Sequence, residues 1–559
     1  AYQDICTIIA HEIVHQWFGN LVTPEGWKYL WLNESFATYF AYRIVHHNHP
    51  DWGVWQRFVY SQTQKALERD GFRETIPIEI PDREHAAINT GTAPIIYNKG
   101  ASILRQIEPY LGEERFKKGL RGYLKTYRYA CAASRRLWEA FEDTVEKPVV
   151  RLMKSMIEQP GYPILHVDRQ GNRLLFTQTR FTYLESEYNQ HWILPIRIRL
   201  FFDDGRSVCI ETLLDSRQGS IKIDPAAVAY KVNEGHTGFY RVRYGQSENL
   251  ERLGALIAKG EISPVDRWGV ENDLYAQVMG AEATVEEYLS FLSHYANETE
   301  FLPAMSIRDH LLHASLVLEA STKNHVLEAG KDFLSGVLGR IGFEAATGES
   351  HTESLLRGEL LFHAAVFGVE EAEETCLDHF SRLVKGKSPP PDILKSALQV
   401  GAWDGDRDTF RWFTKRLDSS KREQERLELL EALGAFRDDS LTEELRRYVL
   451  DRVPPRNRFV PLVAMCSNRA AIPSLWPWFA SQVSRLETLH PLHYERIVSA
   501  FVPVAGLGRG KEVEKFLNQR MEKIGVPSSD VIGLSMERLR VNSRFRDESS
   551  SHSPAPRGT

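Results

Sequence analysis

Apolar residues recur three and four apart through most of the first 158 positions, in "DICTIIAHEIVHQWF", "NESFATYFAYRIVHH", "GASILRQIEPYLG" and "ERFKKGLRGYLKTY". That spacing predicts amphipathic helices and a helix-rich block over 1–158. After "QPGYP" the period changes to two, in "ILHVD", "RLLFTQTRFTY", "LPIRIRLFF" and "SVCIETLL", with "RQGN" and "DDGR" as turns. Alternation of this kind predicts strands with one buried face, hence a small β-sandwich over 159–245 that closes on "FYRVRY". From 246 to 540 amphipathic helical segments follow one another, among them "VEEYLSFLSHYA" and "REQERLELLEALGAF". No repeat of fixed period is visible, but such a succession predicts helix pairs stacked as a HEAT-like solenoid. The polar, Ser- and Pro-rich end predicts a disordered tail over 541–559. The expected fold class is thus multidomain and mainly α, with one small β-sandwich.

Composition adds limits more than content. The 559 residues suffice for several cores, and 42% hydrophobic with 26% charged residues is an ordinary globular balance. A net charge of -6, dispersed along the chain, argues against nucleic acid and against a basic membrane-docking stripe. No segment carries the eighteen or so apolar residues of a membrane span. The five cysteines, Cys6, Cys131, Cys209, Cys376 and Cys466, are odd in number and far apart. They read as buried, reduced thiols in a cytoplasmic, reducing compartment rather than as a disulfide framework. The chain opens without Met and enters a helical pattern at once, so it is expected to be a fragment whose upstream part is missing.

The chemistry concentrates near the front, in "IAHEIVHQWFGNLVTPEGWKYLWLNESFATYF". His11 and His15, four apart, project from one helix face and can hold one metal ion between them. Glu12 lies beside that face, near enough to take a proton from a metal-bound water but turned away from ligation; this is the His-Glu-x-x-His arrangement of zinc hydrolases. A catalytic zinc keeps three protein ligands and one open position, so a third donor is required. Glu34, 19 residues past His15 at the start of the next apolar-periodic segment, is the natural candidate.

"HEIVHQWFGNLVT" followed by "LWLNESFATYF" resembles the M1 family of zinc aminopeptidases, the gluzincin pattern of His-Glu-x-x-His, eighteen residues, then Glu. The resemblance implies His11, His15 and Glu34 as ligands of one Zn2+ per chain and Glu12 as general base. "IIYNKGASIL" is similar to the family's Tyr-x-Lys-Gly-Ala segment, which implies that Tyr97, placed by the pattern at a helix start, binds the oxyanion of the tetrahedral intermediate. It implies further that 1–158 is the helical part of a thermolysin-like catalytic domain, and that the C-terminal helical domain closes over the site and restricts it to peptide substrates. The wording of "NESFATYF" leans towards the prokaryotic branch that includes the tricorn-interacting factors. Oligomeric state and side-chain preference are not legible.

Departures matter as well. The family's Gly-x-Met-Glu-Asn segment, whose Glu grips the substrate's α-amino group, does not occur in the chain. An acidic residue common before "LWLNE" is replaced around Gly26, Trp27, Lys28 and Tyr29, so orientation of a ligating His must fall to another group. Arg136 stands where an Asp is usual before "LW", which reads as surface variation. A competing reading is a truncated, inactive aminopeptidase-like chain serving as a helical interaction scaffold; epoxide hydrolysis on the same zinc site is a third, which nothing favours. Three further features tempt: His46, His47 and His49 as a metal cluster, "VPVAGLGRGKEVEKF" as a phosphate loop, and the cysteines as nucleophiles. Each reads more simply, as a solvated helix end, a helix-helix turn and small apolar residues.

Overall fold

The computed structural model describes residues 2–80, 88–186, 188–524 and 529–551. It divides into two compact units, 1–277 and 278–559. The helical front and the strand-rich segment therefore share one unit with the first helices of the segment expected to begin at 246.

In the first unit the helix Tyr2–Val14 packs on the helix Trp31–Asn48. Ala10, Ala41, Val45 and Val54 form the joint, with Cys6, Tyr42 and Trp52 against it. Only part of the first helix's apolar surface is used in this way. Ile5, Ile8, Ile9 and Ile13 lie on its exposed side. The connection between the two helices carries a short strand, Val22–Pro24, which pairs in parallel with Ala130–Ala132; neither was signalled by alternation, because each is three residues long. Helices Gly100–Leu111 and Glu113–Tyr127 complete the frame around Trp31–Asn48.

The period-two runs form strands with nearly the expected bounds: Pro163–Gln170, Arg173–Arg180, Leu194–Phe202, Ser207–Leu214 and, at the close, Arg241–Tyr244. Gln218–Lys222 and Ala227–Val232 join them, giving one four-stranded and one three-stranded sheet. Gly171 at φ 59° and Gly205 at φ 80° supply the left-handed turns of the two hairpins. Leu165 and Val167 of one sheet and Ile196, Ile198 and Leu200 of the other are buried. Arg105 ties the helix Gly100–Leu111 to this region, donating to the carbonyls of His236 at 2.5 Å and Gly235 at 2.9 Å.

In the second unit, alternate helices His351–Val366, Pro391–Trp403, Glu423–Leu433, Phe459–Met465, Pro491–Ala505 and Ser529–Ser551 pack in a row, each on the next. The last of them corrects the expected disordered tail. Residues 541–551 are helical, and Val541 and Phe545 are buried, so two apolar anchors hold a segment whose Ser-rich composition pointed the other way. Residues 552–559 of that tail lie outside the described residues. The "VPVAGLGRGKEVEKF" segment is a helix-helix turn between Pro491–Ala505 and Gly510–Ile524.

The cysteines are all free, but uniform burial is not what the structure shows: Cys376 and Cys466 are buried, Cys6 and Cys209 half-buried, and Cys131 exposed. Cys131 lies on the three-residue strand, where the chain runs over the surface. Arg136 is exposed and pairs with Glu139 at 3.2 Å, as surface variation would have it. Among the described residues no helix is long and apolar enough to cross a membrane.

Candidate metal centre and cleft

The first helix ends at Val14, one residue short of the second histidine, yet the His15 amide still reaches the His11 carbonyl at 3.4 Å. Helical spacing thus persists just far enough to bring His11 Nε2 and His15 Nε2 to 3.2 Å. His15 Nδ1 is 3.1 Å from the carbonyl oxygen of Phe18. A carbonyl only accepts, so Nδ1 donates its proton there and Nε2 keeps a lone pair turned towards His11. A backbone carbonyl from the turn therefore orients the ring for which no acidic residue stood near Lys28 and Tyr29. Lys28 itself lies over the Tyr29 ring, 5.4 Å from its centre.

Glu34, in the first turn of Trp31–Asn48, brings Oε2 to 3.4 Å from His11 Nε2 and 3.7 Å from His15 Nε2. Bonds of ~2.0–2.1 Å at tetrahedral angles separate neighbouring ligand atoms by about 3.4 Å, so the three donors stand near three corners of a metal-sized tetrahedron. Two imidazole lone pairs and a carboxylate turned on one another repel unless a cation or protons lie between them. Among the described residues this is the group of three that meets such a geometry; the His46, His47 and His49 cluster does not. His49 instead stacks on Trp52 at 3.7 Å.

Tyr97 stands in a π-turn, Pro94–Lys99, rather than at the start of an α-helix as its pattern had predicted. Single π-turns recur at functional sites because the extra residue re-aims a side chain. Here the Tyr97 ring lies 6.4 Å from that of His11, nearly parallel to it. Burial, and next the Glu34 carboxylate, push the Tyr97 phenol well above its ordinary range, so it stays protonated and able to donate. Glu12, exposed, shares with Tyr97 and His11 an open cleft of about 340 Å³.

All five residues singled out from the sequence are therefore brought to one place. Tyr42, Gln62 and Asn98, which also line the cleft, were missed. They are linked through Ser61: Gln62 Nε2 donates to the Tyr42 hydroxyl at 3.1 Å, Tyr42 meets Ser61 Oγ at 2.7 Å, and Asn98 donates to the Ser61 carbonyl at 3.3 Å. Tyr42 falls at helical spacing from Glu34, and Asn98 adjoins Tyr97, so both left a trace. Gln62 enters by a second π-turn, Val59–Gln64, which no periodicity announces.

Residues 1–156 match the model of the peptidase family M1 domain, and residues 229–530 that of the ERAP1-like C-terminal domain, which alone spans more than half of the chain. The chain belongs to peptidase family M1. The second match begins within the strand Ala227–Val232, so in this M1 chain the last strands and the helices after them fall under one description. Aminopeptidase M1 of Arabidopsis thaliana is 29% identical over 570 residues, covering 97% of the chain and 64% of the plant protein. Tricorn protease-interacting factor F2 of Thermoplasma acidophilum is 31% identical over 547 residues, covering 96% and 66%. Leucyl aminopeptidase of Saccharolobus solfataricus is 35% identical over 312 residues, covering 56% and 38%. The chain thus spans just under two thirds of the length of the Arabidopsis and Thermoplasma relatives and a smaller share of the Saccharolobus one.

Proposed function

We propose that the protein is a zinc aminopeptidase that removes N-terminal residues from peptides, with His11, His15 and Glu34 holding one zinc ion. The observation that carries this reading is the set of three donor atoms at tetrahedral separations, with Glu12 and Tyr97 facing the same cleft. When bound, zinc supplies an acidified water and polarises the scissile carbonyl. Glu12 takes the proton of that water and returns it to the departing amine nitrogen, the exchange for which a carboxylate beside but outside the ligand set is suited. Tyr97 donates its phenol hydrogen to the charge that develops on the carbonyl oxygen, a bond that strengthens towards the transition state. His15, oriented by the Phe18 carbonyl, keeps its Nε2 free for the metal. We read the row of alternate helices in the second unit as a solenoid.

The test is zinc content together with hydrolysis of aminoacyl-arylamides by the protein and by Glu12→Gln. The expected result is one zinc per chain in both, with turnover lowered by about 10²–10⁴-fold in Glu12→Gln. Protein that takes up no zinc and is inert towards every aminoacyl-arylamide would overturn the reading.

A further inference from the structure

Glu34 and Tyr97 come from segments 63 positions apart, yet catalysis of the kind proposed needs both held in one geometry. Their relation is set one residue away from each. Ser35 Oγ, fully buried, donates to the carbonyl oxygen of Ile96 at 2.6 Å. Successive residues on a helix point about 100° apart, so Glu34 faces the histidines while Ser35 faces the π-turn. Carboxylate and phenol are thus linked twice, directly by the hydrogen bond between the two side chains and through the backbone by Glu34, its peptide neighbour Ser35, one short hydrogen bond, Ile96 and its neighbour Tyr97.

The surroundings are cut to admit that bond. A Cβ on Gly100 would lie 1.9 Å from Ser35 Oγ and 2.8 Å from its Cβ, so a side chain at 100 displaces the hydroxyl. Gly100 has helical backbone angles, so it is required for this close approach and not for its conformation. The far end of the π-turn is fixed independently, by Lys99 on Asp70 and on the Gly161 carbonyl. With that end held, the Ser35 bond fixes the backbone from which the Tyr97 phenol reaches the ligand carboxylate.

We propose that Ser35 is a positioning residue, which acts through Tyr97 by fixing the phenol against the Glu34 side of the metal centre. The inference rests on the aminopeptidase reading, and it deepens it by coupling the third ligand to the oxyanion donor. A misplacement on the scale of 1 Å at such a donor costs about 10²-fold.

The test is a double-mutant cycle on the zinc-loaded protein, Ser35→Ala with Tyr97→Phe. It is read in kcat and KM for an aminoacyl-arylamide and, apart from turnover, in calorimetric binding of a phosphinic peptide that carries a tetrahedral centre. Ser35→Ala is expected to lower kcat by about 10- to 10²-fold with KM and zinc content nearly unchanged, and to weaken phosphinate binding by a similar factor. On the Tyr97→Phe background the same change is expected to have almost no further effect on either quantity. Ser35→Cys, of similar shape with a weaker donor, is expected to fall between, and it carries the same cycle should Ser35→Ala fail to fold. Full kcat in Ser35→Ala, an equal loss on both backgrounds, or a loss that follows zinc content overturns the positioning role and leaves the aminopeptidase reading standing. A zinc-loaded wild type that neither turns over the arylamide nor binds the phosphinate overturns both.

Discussion

Lys99 Nζ stands 2.9 Å from Asp70 Oδ2, with both side chains sealed from solvent. The pair sits two residues from Tyr97 and ties its π-turn to the end of the helix Lys65–Asp70. Burial pushes the Lys99 ammonium below its usual range, and Asp70 opposes that shift. Asp70 Oδ1 also accepts from the Thr75 hydroxyl at 2.6 Å and from the Gly161 amide at 3.1 Å. Lys99→Met leaves the carboxylate buried without its cation. A loss of about 3–5 kcal/mol from the stability of the first unit is expected, because an uncompensated buried charge costs more than the pair contributes. A urea transition unchanged in midpoint would show that the pair adds nothing to the stability of the first unit.

Metal removal gives a second expectation. The three donors come from the helix Tyr2–Val14, the turn that follows it and the helix Trp31–Asn48, so an ion bound between them stabilises the folded first unit by its binding free energy. Chelation is expected to lower the thermal midpoint, and zinc at about 100 times its Kd to restore about 2.7 kcal/mol. His15→Ala is expected to melt at the same temperature with and without zinc. A zinc response that survives in His15→Ala would place the ion elsewhere.

The His11–His15 pair of the candidate metal centre was legible in the sequence because its information is local. Four-residue spacing on a helix dictates which side chains meet, and the alternation in "LPIRIRLFF" dictates a strand, Leu194–Phe202, in the same way. What was not legible depends on geometry without a period. The π-turns that aim Tyr97 and Gln62 insert one residue into a helical pattern and leave its composition unchanged. The tail misled for a related reason: Val541 and Phe545 are two anchors in a Ser-rich stretch, too sparse to outweigh composition until a packed neighbour is known. The orientation of His15 by the Phe18 carbonyl could not be read at all, since backbone acceptors carry no residue signature.

Thiol reactivity should divide the cysteines by environment. Burial raises the Cys376 thiol to about 12 and lifts Cys466 further still, whereas Cys131 is exposed. Thiolate is the reactive form, so iodoacetamide at neutral pH is expected to label Cys131 in the native protein and to leave Cys376 and Cys466 until denaturant is added. Peptide mapping of the alkylated protein reads the order directly. Early labelling of Cys466 would mean that the end of the helix Phe459–Met465, which it follows, opens locally.

The second unit carries a pH dependence of its own, centred on the C-terminal helix. His313 Nε2 lies 3.1 Å from Asn542 Oδ1, and its ring is parallel to that of Phe545 at 6.0 Å. Burial lowers the His313 pKa to about 4; the bond to Asn542 works against that shift, while His310 and Arg538 nearby add to it. In the unfolded chain the same imidazole takes its proton near 6.5. Between these values the unfolded state binds more protons than the folded one, so stability is full above pH 6.5 and falls as the pH drops towards 4. The slope is at most about 1.4 kcal/mol per pH unit, less where the partly exposed ring is hydrated. His363 in the same unit, also lowered by desolvation, adds the same sign, so the wild-type dependence alone does not isolate His313. His313→Gln keeps a donor towards Asn542 and cannot titrate. Its urea midpoint is therefore expected to fall less steeply than that of the wild type between pH 6.5 and 4, and to be nearly parallel to it above pH 7. Parallel curves throughout the acid range would mean that His313 takes its proton at the same pH folded and unfolded, the Asn542 bond balancing burial.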